Sequence, residues 1–286
     1  MLALDFASII SQTLFATSIL IVAALGLAII FGMMGVINLA HGALITVGAY
    51  VAYTVTNAGF SLWTAFVIAP IVVALVGLIM ERTVINRLYE RPVDTLLATW
   101  GFALVIQELI KVIFGTSAQS VPNPYSTPVE VFGANLPQYR ILLVGLAIVL
   151  LVVTYVTFKY TDFGIKSRAV IQNDEMAGML GTDVRFVYMV TFMIGAGLAG
   201  LAGAAVSPIV GADPRTGLGY LVQSFFVVIV GGTGQLLAGT LGGSGLIGGS
   251  AAALSFVSSQ TFAQTVVFAF AIIVIRIKPE GLFGGQ

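Results

Sequence analysis

Long apolar segments alternate with short polar breaks along this chain. No charged residue occurs between Asp5 and Glu81 or between Arg215 and Arg276. Since one membrane-spanning helix needs roughly 20 apolar residues, each of these two stretches is long enough to cross a bilayer more than once. The pattern predicts an all-α, multi-pass membrane protein with about 8–9 transmembrane segments in a single domain, residues 1–286. The predicted segments are roughly 7–31, 36–56, 62–80, 94–115, 139–158, 187–207, 220–236, 239–257 and 262–276.

Two features of this arrangement have more than one interpretation. Segment 220–236 is interrupted by Gly231, Gly232 and Gly234, so it either crosses the membrane or enters and leaves on the same side. Segments one to three and six to eight would start from opposite sides of the membrane. That arrangement is compatible with an inverted repeat, in which the solute route lies near the interface of the two halves.

Basic residues are concentrated in three of the polar breaks. The turn at 82–91 carries three of them, the stretch at 159–185 carries four and the C-terminal stretch carries two, which together make nine of the twelve in the chain. Cytoplasmic loops of membrane proteins are enriched in Lys and Arg, so all three breaks are predicted to be cytoplasmic. Even numbers of segments separate them. The prediction therefore places the N-terminus outside and the C-terminus in the cytoplasm.

The longest polar break, residues 159–186, contains the pattern of a short amphipathic helix. Asn173 is a predicted N-cap, and Gly181 suits the C′ position. Asp174 and Glu175 favour the positive end of the helix dipole. A helix of about two turns is unstable alone in water, so its apolar face should pack on the protein's own membrane helices or dock in a groove of a partner. The residues predicted to form that face are Met176, Met179, Leu180, Val184 and Val187.

Composition excludes several classes of function. The chain is 58% hydrophobic and 8% charged with zero net charge, so bulk electrostatics do not attract it to nucleic acid. One histidine and no cysteine cannot build the usual zinc cluster, and the chain has no GxxxxGK[ST] phosphate-binding loop. We therefore expect no cofactor, no metal and no enzymatic activity. The N-terminus also lacks the basic region that begins a cleavable signal peptide.

A few polar side chains fall within the apolar segments. Asn38 and His41 are three residues apart, and a continuous helix would place both on one face. In the fourth segment Thr95, Thr99 and Gln107 fall on a four-residue spacing, with Ala103 completing the row and Trp100 next to it. Glu108 is predicted to pair with Lys111. Such groups suit a small polar solute, and they equally suit a seam between two helices. The candidate residues of a solute pathway are Asn38, His41, Thr95, Thr99, Trp100 and Gln107.

Several stretches of the chain together resemble one family, the branched-chain amino acid class of ABC-importer permeases. The N-terminal signature of that class is similar to GLAIIFGMMGVINLAHGALITVGAY at 26–50. Its cytoplasmic coupling loop resembles RAVIQNDEMAGMLG at 168–181, and two later stretches match in kind, SFFVVIVGGTGQLLAGTLGG at 224–243 and KPEGLFG at 278–284. Within the class, RPVDTLLATWG at 91–101 resembles the urea and short-amide permeases, as does the beginning of the coupling loop.

The resemblance implies that this chain works as one subunit of several. It implies that the short helix docks into a cleft on a separate ATPase subunit, and Glu175, Ala177 and Gly181 match the spacing of the family's coupling motif. The implied coupling residues are Asn173, Asp174, Glu175, Met176, Ala177, Met179, Leu180 and Gly181. The implied partners are two ATPase subunits, a second homologous permease and a periplasmic solute-binding protein. The implied location is the bacterial cytoplasmic (inner) membrane, in contact with lipid.

The implied activity is import of a small polar solute that contains nitrogen. Urea or a short amide is the first choice, because no charged pair in the apolar segments is placed to bind a zwitterion. A branched-chain or neutral amino acid is the alternative. A stand-alone channel or secondary transporter is a second class of function, and an intramembrane enzyme that uses His41 is a third, although the sequence offers His41 no catalytic partner.

Overall fold

The structure, a computed structural model, describes residues 2–89, 91–131, 134–232 and 234–284. Within these ranges the chain is mostly helical. The helices are α1 (Leu2–Met34), α2 (His41–Asn57), α3 (Leu62–Thr83), α4 (Pro92–Phe114), α5 (Gln138–Tyr160), α6 (Asp162–Gln172), α7 (Asp174–Met179), α8 (Val184–Val210), α9 (Thr216–Gly231), α10 (Leu236–Ser244), α11 (Ser250–Leu254) and α12 (Gln260–Ile277). A 3₁₀ turn (Ile85–Arg87), a π-helical segment (Gly245–Gly249) and the antiparallel hairpin β1 (Pro128–Val131) with β2 (Ala134–Pro137) complete the list.

The helices have the lengths of membrane spans. Seven helical stretches in the described part of the chain are long and apolar enough to cross a bilayer: α1, α3, α4, α5, α8, α12, and the helix that α10 and α11 form through the π-helical segment. The remaining two, α2 and α9, have 17 and 16 residues. All nine predicted segments are helical, and the prediction of an all-α, multi-pass membrane protein is confirmed.

Two of the predicted boundaries were wrong, and glycine explains both. The second segment was expected from residue 36, but Gly35 takes a φ of 63° and the backbone stays irregular until α2 begins at His41. Asn38 and His41 therefore do not share one helical face. The seventh segment was expected to reach residue 236, but α9 ends at Gly231, before a φ of 85° at Gly232; Thr233 lies outside the described residues.

Helix α8 lies at the centre of the bundle and packs against α1, α2 and α3. Its small residues let the neighbouring backbones approach closely, which is how membrane helices associate without a hydrophobic driving force. A Cβ on Gly48 of α2 would overlap the Gly200 carbonyl, and one on Gly203 would overlap the Ile45 carbonyl. The glycine-rich sequence of α8 thus sets the distance between α8 and α2.

The three basic breaks meet at one end of the bundle, which we call the basic end. Near it the Tyr89 and Tyr188 rings lie 4.9 Å apart, and the main-chain N–H of Leu282 donates to the Val230 carbonyl at 2.8 Å. At the opposite end, Gln119 and Ala212 exchange main-chain hydrogen bonds of 2.8 and 2.9 Å. Most basic residues of the chain thus lie at one end of the bundle, and few lie at the other. That the basic end is cytoplasmic stays a prediction, as does the inverted repeat.

Candidate functional site

The polar break at the basic end folds into two short helices, α6 and α7, before α8 begins. Asn173 Oδ1 accepts a hydrogen bond of 2.7 Å from the Met176 N–H, so Asn173 is the N-cap of α7, as predicted. Gly181 has a φ of 89°, which suits the predicted C′ position. The helix α6 that precedes α7 was not predicted, and Thr161 caps it by accepting from the Gly164 N–H at 3.2 Å.

The predicted single apolar face of this segment is wrong, because a second helix starts within it. Asp183 Oδ1 accepts from the Phe186 N–H at 3.0 Å and caps α8, so Val184 and Val187 belong to that helix. Val187 packs inward in a buried cluster with Ala177 of α7 and Val170 of α6.

The other three residues of the predicted face point away from the bundle. Met176, Met179 and Leu180 are 54%, 79% and 81% exposed. Helix α7 therefore packs on its own protein through Ala177, which is one of the two outcomes that the sequence left open. It also leaves an apolar surface, Met176, Met179 and Leu180, uncovered, and docking of this surface on a partner stays a prediction. We call these three residues the coupling tip, after the role that the sequence resemblance predicts for them.

The two acidic residues of α7 lie in its first turn, where the helix dipole stabilises negative charge. Asp174 Oδ1 accepts from the Glu175 N–H at 2.9 Å, and the Tyr188 hydroxyl donates to Asp174 Oδ2 at 3.5 Å. Neither carboxylate forms a salt bridge within the described residues. Their charge therefore stays available at the surface of the basic end.

A cavity of about 650 Å³ separates α6 and α7 from the end of α1. Residues 31–35 line one side of it, and residues 170–175 line the other, with Tyr188 of α8 between them. Gly35 marks the end of α1 and the start of the irregular connection to α2. Helix α7 and the start of the α1–α2 connection thus border the same cavity.

Three of the predicted pathway residues meet at that connection, residues 35–40: Asn38 lies within it, His41 begins α2, and Thr99 lies on α4. The Leu39 N–H donates to Thr99 Oγ1 at 3.1 Å, and the Ala40 N–H donates to Asn38 Oδ1 at 3.0 Å. His41 Nε2 lies 2.8 Å from the Ala23 carbonyl of α1. All three side chains are fully buried, and Asn38 Nδ2 and His41 Nδ1 have no hydrogen-bond partner within the described residues. They tie an irregular backbone segment to α1 and α4.

The other pathway candidates on α4 lie apart from this cluster. Thr95 is buried, and its hydroxyl lies 2.7 Å from the Leu88 carbonyl, so it fastens the 3₁₀ turn to α4. Gln107 is half-buried and Trp100 is 40% exposed. The structure confirms the predicted pair of Lys111 and Glu108, with Nζ and Oε1 2.6 Å apart.

The structure also shows a cavity with polar and apolar lining residues that the sequence did not predict. It has a volume of about 440 Å³ and lies near the opposite end, between α1, α5, α9, α11 and α12. Arg140 lies at its edge, with the guanidinium carbon 4.6 Å from the centre of the Phe15 ring. None of the predicted pathway residues lines this cavity. Its polar lining residues are Gln12, Arg140, Tyr220, Gln223, Ser255, Gln260 and Gln264.

Arg140 is held in place by the residue before it. Tyr139 is buried, and its hydroxyl donates to the Ala205 carbonyl of α8 at 2.6 Å. The Tyr139 N–H also donates to the Tyr125 carbonyl at 3.2 Å, which fixes the loop before α5. The first turn of α5 is thus attached to the central helix, and Arg140 extends from that turn over the cavity.

The sequence does contain a signal that would have singled out Arg140. Only Lys111, Arg140 and Arg215 lie outside the three basic breaks. Lys111 pairs with Glu108, and Arg215 is exposed in a loop. Arg140 is therefore the one cation of the three that lies at a helix start without an acidic residue nearby in the sequence.

Comparison with known proteins agrees with the resemblance found in the motifs. The model of a family described as "Branched-chain amino acid transport system / permease component" matches residues 9–276. The high-affinity branched-chain amino acid transport system permease protein LivH of Escherichia coli K12 is 27% identical over 278 residues, which cover 91% of this chain and 90% of that protein.

Two relatives from other organisms match over similar lengths. BraD of Pseudomonas aeruginosa, a permease protein of the same kind of system, is 26% identical and covers 91% of this chain and 90% of its own length. A probable branched-chain amino acid transport permease protein LivH of Methanocaldococcus jannaschii is 26% identical, and the match covers 96% of this chain and 92% of that protein. No solved structure matches the chain.

Proposed function

Since this chain belongs to the family of branched-chain amino acid transport permeases, we propose that it forms part of the membrane pathway of an ATP-driven importer for branched-chain or other neutral amino acids. The observation that carries the proposal is the coupling tip at the basic end. Helix α7 is capped, and its buried Ala177 packs it on the bundle. Its exposed apolar residues therefore form a surface that a partner subunit can bind.

This proposal changes the choice of solute. The sequence favoured urea on two short phrases and on the lack of a charged pair in the apolar segments. The named relatives are permeases for branched-chain amino acids, and they give urea no support. The alternative solute, a branched-chain or neutral amino acid, is the better choice. Urea is the competing solute against which it must be tested.

The proposed coupling runs from the tip to the α1–α2 connection. An ATPase subunit would cover Met176, Met179 and Leu180 and move α7 when it binds and hydrolyses ATP. Because the cavity of about 650 Å³ is bordered by α7 on one side and by the end of α1 on the other, this motion can close or open it. ATP would then favour one conformation of the connection over another, which is all that such coupling requires.

Asn38, His41 and Thr99 would act in this scheme at the moving connection. Their hydrogen bonds hold residues 35–40 in the present conformation, and two of their polar atoms are free to bond in another one. Thr95, Trp100 and Gln107 remain candidate pathway residues along α4. A group of neutral hydrogen-bonding side chains would let a polar solute pass without trapping it.

The remaining partners follow from the same proposal. A second, homologous permease would complete the pathway, two ATPase subunits would bind at the basic end, and a periplasmic binding protein would deliver solute at the opposite end. The chain itself is a multi-pass protein of the cytoplasmic membrane. It acts as a transport component and leaves ATP hydrolysis to its partners.

Copurification from the native host is the first test. We expect the tagged chain to bring down an ATPase, and the assembled complex with its binding protein to import leucine, and not urea, into proteoliposomes when ATP is supplied. Urea import without leucine import would overturn the choice of solute. Solute flux through liposomes that contain this chain alone would instead support a stand-alone channel or secondary transporter.

A further inference from the structure

The cavity of about 440 Å³ near the opposite end has the chemistry to hold a small carboxylate. We propose that it binds an apolar amino acid, with the solute carboxylate on Arg140. The inference rests on the proposed function and adds to it a binding site on this chain, together with the group that recognises the solute.

The guanidinium of Arg140 has unused hydrogen-bonding capacity. It carries five N–H donors, and within the described residues none of them makes a hydrogen bond or a salt bridge. The guanidinium carbon lies over the face of the Phe15 ring, 4.6 Å from its centre. Stacking on an aromatic face leaves the edge donors of a guanidinium free to bind a carboxylate with two parallel bonds.

The rest of the polar lining is neutral. No Asp or Glu lines the cavity, so Arg140 gives it a net positive charge that favours an anionic group. Gln12, Gln223 and Gln264 are half-buried, and Gln260 is exposed near the mouth. None of these four carboxamides has a hydrogen-bond partner within the described part of the chain. Their oxygen atoms can accept from the ammonium group of an amino acid, which carries three donors.

One wall of the cavity is apolar and suits an aliphatic side chain. It is formed by residues from α1, the π-helical segment and α12, namely Phe15, Ile19, Leu20, Ile247, Val267 and Phe268. The volume lies within the range of small-molecule sites, about 300–1,000 Å³. A cation, several carboxamides and an apolar wall match the three parts of a branched-chain amino acid.

The backbone beside the cavity also departs from a regular α-helix. Residues 245–249 form a π-helical segment between α10 and α11, and two of them, Ile247 and Gly248, line the cavity. Such segments are rare and are found frequently at functional sites. A Cβ on Gly248 would lie 2.9 Å from the Ala16 carbonyl of α1, so the wall closes tightly on that side.

Urea does not need this arrangement. It is uncharged and has no aliphatic part, so neither the guanidinium nor the apolar wall would contribute specifically to its binding. An anionic lipid headgroup could also neutralise Arg140, and an acidic surface of a binding protein could do so at the mouth. The experiment must separate these two occupants from the solute.

The test uses the complete importer in proteoliposomes, with labelled leucine as the probe. We expect Arg140→Gln to lower leucine uptake by about tenfold or more, because a charge-assisted hydrogen bond to the solute is lost. Arg140→Lys keeps the charge but cannot form the bidentate pair, so its leucine uptake should lie between that of the wild type and that of Arg140→Gln. Gln264→Ala should lower uptake less. Arg215→Gln, which removes an exposed cation at the same end, is the matched control and should stay within about twofold of the wild type.

Two further measurements separate the competing occupants. The affinity of the leucine-loaded binding protein for the complex should be the same for wild type and Arg140→Gln, and the defect should be equal in vesicles with and without phosphatidylglycerol. Weaker docking of the binding protein, or a defect that appears only with anionic lipid, would overturn the inference. So would unchanged uptake by Arg140→Gln and Arg140→Lys. If the wild-type complex imported no leucine at all, the proposed function would fail before this site was tested.

Discussion

Leu180 is the most exposed residue of the coupling tip, and it should matter to transport without mattering to folding. We predict that Leu180→Asp lowers ATP-driven leucine uptake by about tenfold or more, since an unpaired charge would be buried when the ATPase covers the tip. The purified permease should unfold at nearly the same temperature as the wild type, because surface substitutions change stability by only about 0.5 kcal/mol.

The matched control for Leu180→Asp is Phe60→Asp. Phe60 is also well exposed, at 61%, but lies in the turn between α2 and α3 at the opposite end of the bundle. Uptake should be little affected by it. Equal loss of uptake in both variants, or normal uptake in Leu180→Asp, would argue against the role of the tip.

Thr99 should show the reverse pattern, a loss of stability. Thr99→Val has nearly the same shape but removes the acceptor for the Leu39 N–H, which would then be partly buried without this partner. We predict a loss of about 1–3 kcal/mol, measured by thermal unfolding in detergent. Thr99→Ser keeps the hydroxyl and should recover most of the loss. A Thr99→Val protein as stable as the wild type would show that the connection is not held by this bond.

Local signals explain why part of the site could be predicted from residues alone. Asn173 and Gly181 act through their own backbone geometry, and both were assigned correctly. Val184 and Val187 were assigned to the wrong helix, because helical spacing cannot show that Asp183 begins a new one. Arg140 was missed because the residues around its cavity come from distant parts of the chain and meet only in the folded bundle.

At the scale of helices, the contact between α2 and α8 depends on glycine. We predict that Gly203→Ala destabilises the protein by about 1–3 kcal/mol, because the added methyl group would overlap the Ile45 carbonyl and force the two helices apart. Gly101→Ala in α4 is the control. A Cβ there meets no heavy atom within 4 Å, so the same change should be neutral or stabilise the helix by up to about 1 kcal/mol.

Thermal unfolding of the two glycine variants in one detergent would decide the matter. Similar unfolding temperatures of Gly203→Ala and Gly101→Ala would mean that α2 and α8 can move apart without loss of stability. The hydrophobic pattern predicted a helix in each of its nine apolar segments but could not predict this contact, because apolar length carries no information about which helices are neighbours. It also missed α6, β1 and β2, whose short polar sequences lack a clear period.

At the scale of the whole molecule, the two ends of the bundle should face different compartments. The chain has no cysteine, so single cysteines can report on each end. We predict that Ala58→Cys reacts with a membrane-impermeant maleimide in spheroplasts, while Lys166→Cys and Lys278→Cys react only after the membrane is permeabilised. The opposite result would invert the orientation and would move the ATPase away from the coupling tip.

Helix α9 is short for a membrane span, so if it crosses the bilayer its length favours a thin one. Its 16 residues span about 24 Å, several ångströms less than the hydrocarbon layer of a typical membrane. Leu218, Val222 and Ile229 are partly uncovered along one side of it, with Arg215 just before its first turn. A bilayer of long-chain lipids would have to become thinner around α9, or Arg215 would have to enter the hydrocarbon layer. Lipids with shorter acyl chains are therefore preferable for reconstitution.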